Sequence, residues 1–226
     1  MVRNVSLIHM RLISVLIGGD ILTYDKEDRN FIPSKNARWP NNTVYYRINI
    51  GFWPWHKDEI RASVKEMEKA LGNCIKFIEL SDQDKHLPHF INIYRGDTCH
   101  SNVGYLNFER YQELSLGPGC VTRSVIVHEF SHALGFFHEH NRPDRNQHVK
   151  IHFENVTPNM AHNFKIETDA DTVGLPYDYQ SIMHYTRKAF SNNSLDTIVP
   201  LEETGALGNT FYSELDIKKI RKYYEC

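Results

Sequence analysis

The stretch "HEFSHALGFFHEHNRPDR", His128 to Arg145, places four histidines and two glutamates within thirteen positions of a chain that has 13 histidines in all. No other segment constrains the fold as tightly, because side chains that must converge on one point dictate the backbone that carries them. The preceding run "VTRSVIVHEFSHAL" has an apolar stripe of Val121, Val125, Phe130 and Leu134, interrupted by His128 and His132. On a helix, residues four apart share a face, so His128 and His132 direct their rings to one place. Gly135 can take the left-handed conformation that ends such a helix and turns the chain back. His138 then supplies a third imidazole, and Glu129 stands beside the first.

Three neutral nitrogen ligands with an open fourth position describe a catalytic zinc; a structural zinc would close that position with a side chain. In shuffled chains of this composition H-E-x-x-H alone arises in about 5% of cases, and requiring Gly135 and His138 as well lowers this to roughly one in several thousand. A solvated histidine-rich helix end would not explain why the two histidines interrupt an apolar stripe, where unpaired polar groups are costly. One Zn2+ per chain is the cofactor expected. Some fifty residues on, "SIMHY", Ser181 to Tyr185, supplies the methionine turn that accompanies H-E-x-x-H-x-x-G-x-x-H in metzincins.

The formal charge of -2 and pI near 6.7 give no basic field, which excludes nucleic acid as an expected partner. No stretch reaches the roughly 18 apolar residues of a membrane span. Leu12 to Ile17 is too short for a signal-peptide core, and Gly18-Gly19-Asp20 follows it where a cleavage site should lie. Four cysteines, Cys74, Cys99, Cys120 and Cys226, contain no C-x-x-C pair; two disulfides and four free thiols both remain open from spacing alone. N-x-[ST] triplets at Asn4, Asn155 and Asn192 lean toward secretion.

Residues 1 to 38 read as an irregular leader. "RWPNNTVYYRINI" alternates as a first strand, and "WHKDEIRASVKEMEKAL" puts Ile60, Val64, Met67 and Leu71 on one helical face before Gly72. "IKFIEL", "HFINIYRG" and the shorter "VGYLNF" read as further strands, and "YSELDIKKIRKYYEC" as a terminal helix.

"HEFSHALGFFHEHNRPDR" with "SIMHY" resembles the astacin family of zinc endopeptidases, and the likeness runs through "RWPNNTVYYRI", "ELSLGPGCVTRSVIVHE" and the final "YYEC". The resemblance implies an α+β, two-lobed metzincin catalytic domain. It has a twisted, mostly parallel sheet with long helices in the N-terminal lobe, and a loop-rich C-terminal lobe with a terminal helix. The implied division is a leader or propeptide over residues 1–29 and a minimal peptidase domain over 30–226, with lobes of about 30–135 and 136–226.

The resemblance further implies His128, His132 and His138 as zinc ligands, Glu129 as general base and Tyr185 as an additional ligand that can swing to stabilise the transition state. Met183 would pack under the metal. Cysteines would pair as Cys74 with Cys226 and Cys99 with Cys120, in a secreted protein. An activating protease would cut near Arg29, and the new ammonium of Asn30 would bury near Glu139. "IGGDI", Ile17 to Ile21, is similar to the propeptide element whose aspartate caps the zinc, which nominates Asp20. The expected activity is hydrolysis of internal bonds in polypeptide substrates, starting from a latent proenzyme. A catalytically silent zinc-binding or adhesive module is the alternative, disfavoured by the presence of both Glu129 and Tyr185.

Overall fold

Strand β3, Thr43–Ile48, turns every second residue inward, so that Val44, Tyr46 and Ile48 are buried while the residues between them are half-covered. This period-two burial by β-branched and aromatic residues is what makes the segment a strand. The computed structural model describes residues 14–24, 37–81, 83–84, 88–107, 110–168 and 170–226. Arg29 and Asn30, the expected cleavage site and new N-terminus, lie outside the described residues.

Helix α1, Pro54–Ala70, starts on a proline, whose missing N–H costs nothing at that position. It buries Ile60, Val64 and Met67, with Leu71 just beyond. It ends where Gly72 takes φ +62, a left-handed value, and Arg221 caps the exposed end by donating from Nη1 to the Leu71 carbonyl at 2.9 Å.

The remaining elements are β4 (Lys76–Glu79), β5 (Phe90–Tyr94), β6 (Cys99–Ser101), β7 (Tyr111–Leu116), α2 (Arg123–Ala133), β8 (Val149–Ile151), β9 (Ile198–Pro200) and α3 (Glu214–Tyr223). Two strands precede them, β1 (Ser14–Ile17) and β2 (Ile21–Tyr24). The main sheet has the order β1-β2-β6-β7-β5-β3-β4. Pairs β3–β4, β3–β5, β5–β7 and β2–β6 are parallel, while β1–β2 and β6–β7 are antiparallel, so the sheet is mostly parallel as expected.

Two readings are corrected. The described residues of "VGYLNF", 103–107, form no strand: Gly104 sits at φ +70, and the amides of Gly104 and Tyr105 donate to the carbonyls of His132 and Ala37 rather than to a ladder. The strands lie on either side, at β6 and β7. The leader is not irregular throughout either, since residues 14–24 form a hairpin that extends the sheet past β6.

One core joins the sheet to α1, α2 and α3, with Trp39, Tyr46, Ile91, Ile93, Leu114, Ile126, Phe130 and Ile220 among its members. A second, smaller one gathers Val149, Val156, Phe164, Tyr177, Ile198 and Leu207 around the β8–β9 pair, in the loop-rich half after Gly135. Disulfides join Cys74 to Cys226, closing α3 onto the end of α1, and Cys99 to Cys120, holding β6 beside the entry to α2. Among the described residues no helix is long and apolar enough to cross a membrane.

Candidate metal centre

Helix α2 buries Ile126, Val127, Phe130 and Ala133 in the core, which fixes its rotation and leaves His128 and His132 together on the face that meets His138. Its last carbonyls, orphaned in any helix, find side-chain donors: Trp39 Nε1 to Ala133 at 2.8 Å and the Tyr224 hydroxyl to Leu134 at 3.0 Å. Gly135 then takes φ +108, against the ring of Tyr223. That turn returns the chain so that His138 meets the two helical histidines.

Asp20, His128, His132 and His138 form a group whose potential ligand atoms all lie within 4.8 Å of one another. The Nε2 atoms of His128 and His138 are 3.2 Å apart. Asp20 Oδ2 is 3.2 Å from His128 Nε2, and Asp20 Oδ1 is 3.6 Å from His132 Nε2 and 3.1 Å from His138 Nε2. Four donors each about 2.0–2.1 Å from one ion in a tetrahedron stand about 3.3–3.4 Å apart, so these separations suit zinc.

The donor chemistry suits it equally. His128 Nδ1 donates to the Ile182 carbonyl at 2.9 Å and His132 Nδ1 to the Phe136 carbonyl at 2.7 Å. Both bonds place the ring proton on Nδ1 and turn a bare Nε2 lone pair toward the cluster. His132 Nε2 and Asp20 Oδ1 are buried with no hydrogen-bond donor facing them. Such orphaned acceptors are costly in a protein interior, and a cation among them satisfies all at once.

Electrostatics follow the same lines. Burial pushes His132 down to about 4. Burial would also lower His128, but its bond with Asp20 outweighs that and leaves it raised. When the imidazoles carry protons toward it, Asp20 is held well below the usual carboxylate range, burial being outweighed by the charge of His138 and by bonds from His128, His132 and His138. Glu129 goes the other way, pushed well above its ordinary value by burial and then by the charge of Asp20. It is 1% exposed, and its Oε2 has no partner.

The hairpin turn that delivers Asp20 needs its two glycines. Gly18 and Gly19 take φ +63 and +85, and a Cβ on Gly18 would stand 3.1 Å from His138 Nδ1, while one on Gly19 would stand 2.9 Å from Phe190 Cζ. Tyr185 is part of the same contact, its hydroxyl donating to the Gly18 carbonyl. Its ring stacks on His140 with centroids 4.0 Å apart, and burial raises its hydroxyl pKa. Beyond the turn, the Ser101 amide donates to the Asp20 carbonyl at 2.9 Å and Asn102 Nδ2 to the Leu22 carbonyl at 2.8 Å, so the leader occupies the β6 edge beside the cluster.

Met183 is 4% exposed within the main core, and its carbonyl accepts from the Glu139 amide at 2.9 Å. Glu139 is itself buried. Its Oε1 accepts from Arg142 Nη1 and the Asp178 amide, both at 2.9 Å, and its Oε2 pairs with Lys219 Nζ at 2.5 Å. Lys219 therefore already stands at the carboxylate expected to receive the ammonium of Asn30. Reading the sequence left Lys219 and Asp216 unnoticed; "SELD" at the start of α3 is a visible capping signal, but nothing in it tells what else the aspartate holds.

The profile of the Astacin peptidase family matches residues 31–225. Low choriolytic enzyme of Oryzias latipes is 38% identical over 201 residues, covering 84% of this chain and 70% of that protein. Zinc metalloproteinase nas-6 of Caenorhabditis elegans is 38% identical over 207 residues, covering 87% of this chain and 56% of the relative, so the chain spans little more than half of that protein's length. Among solved structures, the high choriolytic enzyme 1 of Oryzias latipes, a hatching enzyme zinc-protease, superposes with a TM-score of 0.75 at 32% identity, covering 86% of this chain and 97% of that one. With the profile spanning nearly the whole chain and the histidine cluster built as zinc requires, the protein belongs to the astacin family and is a zinc metalloendopeptidase.

Proposed function

We propose that the chain is a secreted endopeptidase made as a latent proenzyme, with residues 1–29 as leader and 30–226 as the peptidase domain. His128, His132 and His138 hold the zinc, and Asp20 fills the fourth position until the leader is cut near Arg29. The observation that carries this reading is the placement of the Asp20 carboxylate among the Nε2 atoms of three imidazoles, with Tyr185 bonded to the backbone two residues before it.

Zinc, when bound, supplies a Lewis acid that acidifies water and polarises a carbonyl. Glu129 takes the proton from the attacking water and passes it to the leaving amine. Tyr185, released from Gly18, donates its hydroxyl to the developing oxyanion, a contact of a kind worth roughly 3–4 kcal/mol in other enzymes. The substrate backbone lies along the β6 edge that β2 covers in the uncut chain, pairing with Ser101 in place of the leader. Glu139, shared by Lys219 and Arg142, takes the Asn30 ammonium as a third cation partner rather than as its sole one.

Zinc content and casein hydrolysis, measured on the intact chain and after limited trypsin cleavage near Arg29, test this. Stoichiometric zinc with activity only after the cut is the expected result. Zinc with no activity from a chain that starts at Asn30 would overturn the proteolytic reading in favour of a silent module. Equal activity before and after the cut would overturn the latency.

A further inference from the structure

The turn Ser181–Met183 is suspended between two sets of hydrogen bonds. Its carbonyls face the histidine cluster: Ile182 O accepts His128 Nδ1 at 2.9 Å, and Met183 O accepts the amide of Glu139, the residue after His138, at 2.9 Å. Its amides face away, toward α3. Asp216 Oδ2 accepts the Ile182 amide at 2.8 Å, and Asp216 Oδ1 accepts the Ser181 hydroxyl at 2.6 Å. Ser181 Oγ in turn accepts the Met183 amide at 3.0 Å. The Ile182 and Met183 amides are thus held, directly or through one hydroxyl, by a single carboxylate.

That carboxylate is 4% exposed and sits at the third position of α3, where Oδ2 also accepts the Ser213 amide at 3.0 Å and Ser213 Oγ caps the Asp216 amide at 2.9 Å. The cap explains why an acidic residue suits this helix start. It does not explain why both oxygens also reach across to another segment. Capping needs Ser213; the bonds to Ser181 and Ile182 do nothing for the helix.

We infer that Asp216 is a positioning residue for the metal centre, which acts through the Ser181–Met183 turn to hold the His128 ring and the backbone behind His138. This rests on His128 and His138 being zinc ligands. The peptide of Ile182 is the link: a carboxylate bound to its N–H polarises its C=O, and the better acceptor holds His128 Nδ1–H in place and makes Nε2 a stronger donor to zinc. A partner bonded directly to a zinc-ligating imidazole changes metal affinity by about 10- to 100-fold, and Asp216 stands one peptide further out, so its effect falls at the low end of that range.

The test measures zinc affinity of the full chain by competition with a chelator, together with the visible spectrum of the cobalt(II)-substituted protein. Asp216→Ala severs both limbs and lowers zinc affinity about tenfold with shifted cobalt bands. Asp216→Asn keeps the direct bond to Ile182 and weakens the limb through Ser181, costing about threefold to tenfold. Ser213→Ala removes the cap and the bond from Ser213 Oγ to Asp178 but keeps both Asp216 bonds to the turn, so it lowers the melting temperature with zinc affinity and cobalt bands unchanged.

After activation, the Asp216 variants lose kcat more than they raise KM. Wild-type zinc affinity and unchanged bands in either folded Asp216 variant would overturn the inference, as would equal losses in Ser213→Ala, which would reduce Asp216 to a helix cap. If Asp216→Ala does not fold, Asp216→Asn against Ser213→Ala decides. A wild-type chain that binds no stoichiometric zinc would instead sink the ligand assignment itself.

Discussion

The two halves of the molecule, divided at Gly135, are held by different physics. Before it, α1, α2 and the sheet interlock through Val44, Ile60, Met67, Ile91, Leu114 and Phe130, all fully or nearly fully buried. After it, regular structure is sparse, and polar groups make up half of the buried set, among them Glu139, His140, Arg142, Arg145, Asp178, Ser181, His184, Asp216 and Lys219. Apolar burial is non-directional and tolerates small adjustments, whereas hydrogen bonds and buried ion pairs fix angles and leave costly orphans when one partner goes. The metal centre takes two histidines from the first half and one from the second, so each half sets part of its geometry.

That contrast breaks most visibly under near-isosteric substitutions. Glu139→Gln changes little in shape but leaves Lys219 short of its counter-charge inside the protein and Arg142 with Asp144 alone, and is expected to cost about 3–5 kcal/mol in chemical denaturation. A loss below 1 kcal/mol would show that the second half is not held by its ion pairs.

Acid should weaken the same half. His184 is pushed down to about 4 by burial and bonds to the Tyr177 hydroxyl at 2.7 Å. Its neutral form is favoured only when folded, so the stability it confers is complete above its ordinary pKa of 6.5 and drains away as pH falls from 6.5 through 4. The amount is on the order of 3 kcal/mol. Asp216, raised by burial to about 6, works oppositely: it favours the folded state below about 4 and loses that contribution as pH rises to 6. His184→Gln, which cannot charge, should therefore lose stability relative to the wild type progressively as pH rises from 4 to 6.5.

In the first half, Met67→Leu keeps volume and apolar character and should cost less than about 1.5 kcal/mol, though Met67 is fully buried. A cost like that of Glu139→Gln would erase the contrast. The smallest effect belongs to the surface of that half, where Arg61 bonds Glu79 through two nitrogens at 2.8 Å in solvent. Arg61→Ala should shift stability by about 0.2–1 kcal/mol, and by less in high salt.

The same division governs what could be read without coordinates. Helices α1 and α3 were legible because a repeated apolar period needs only one face to bury, and the residues of that face are in the sequence. Strands β6 and β7 were harder: β6 has three residues, and "VGYLNF" has strand-like composition yet serves to bring Gly104 against the end of α2. The leader hairpin escaped notice for a related reason, since four-residue strands gain stability only from the edge they join. At the site, His128, Glu129, His132 and His138 were legible from spacing along one helix and its turn. Lys219 and Asp216 were not, because their partners lie 80 and about 35 residues away.

The sequence by itself determined the zinc chemistry, because three imidazoles and a carboxylate in one helix–turn segment leave few ways to be arranged. It also determined, through glycines at 18 and 19, that a backbone could pass close to that cluster. Only the tertiary structure decided that Asp20 arrives there, that Tyr185 is engaged by the Gly18 carbonyl, and that one carboxylate on the last helix holds the turn beneath two of the histidines. These contacts join segments far apart in the chain, and their energies depend on distances and burial that no local pattern encodes.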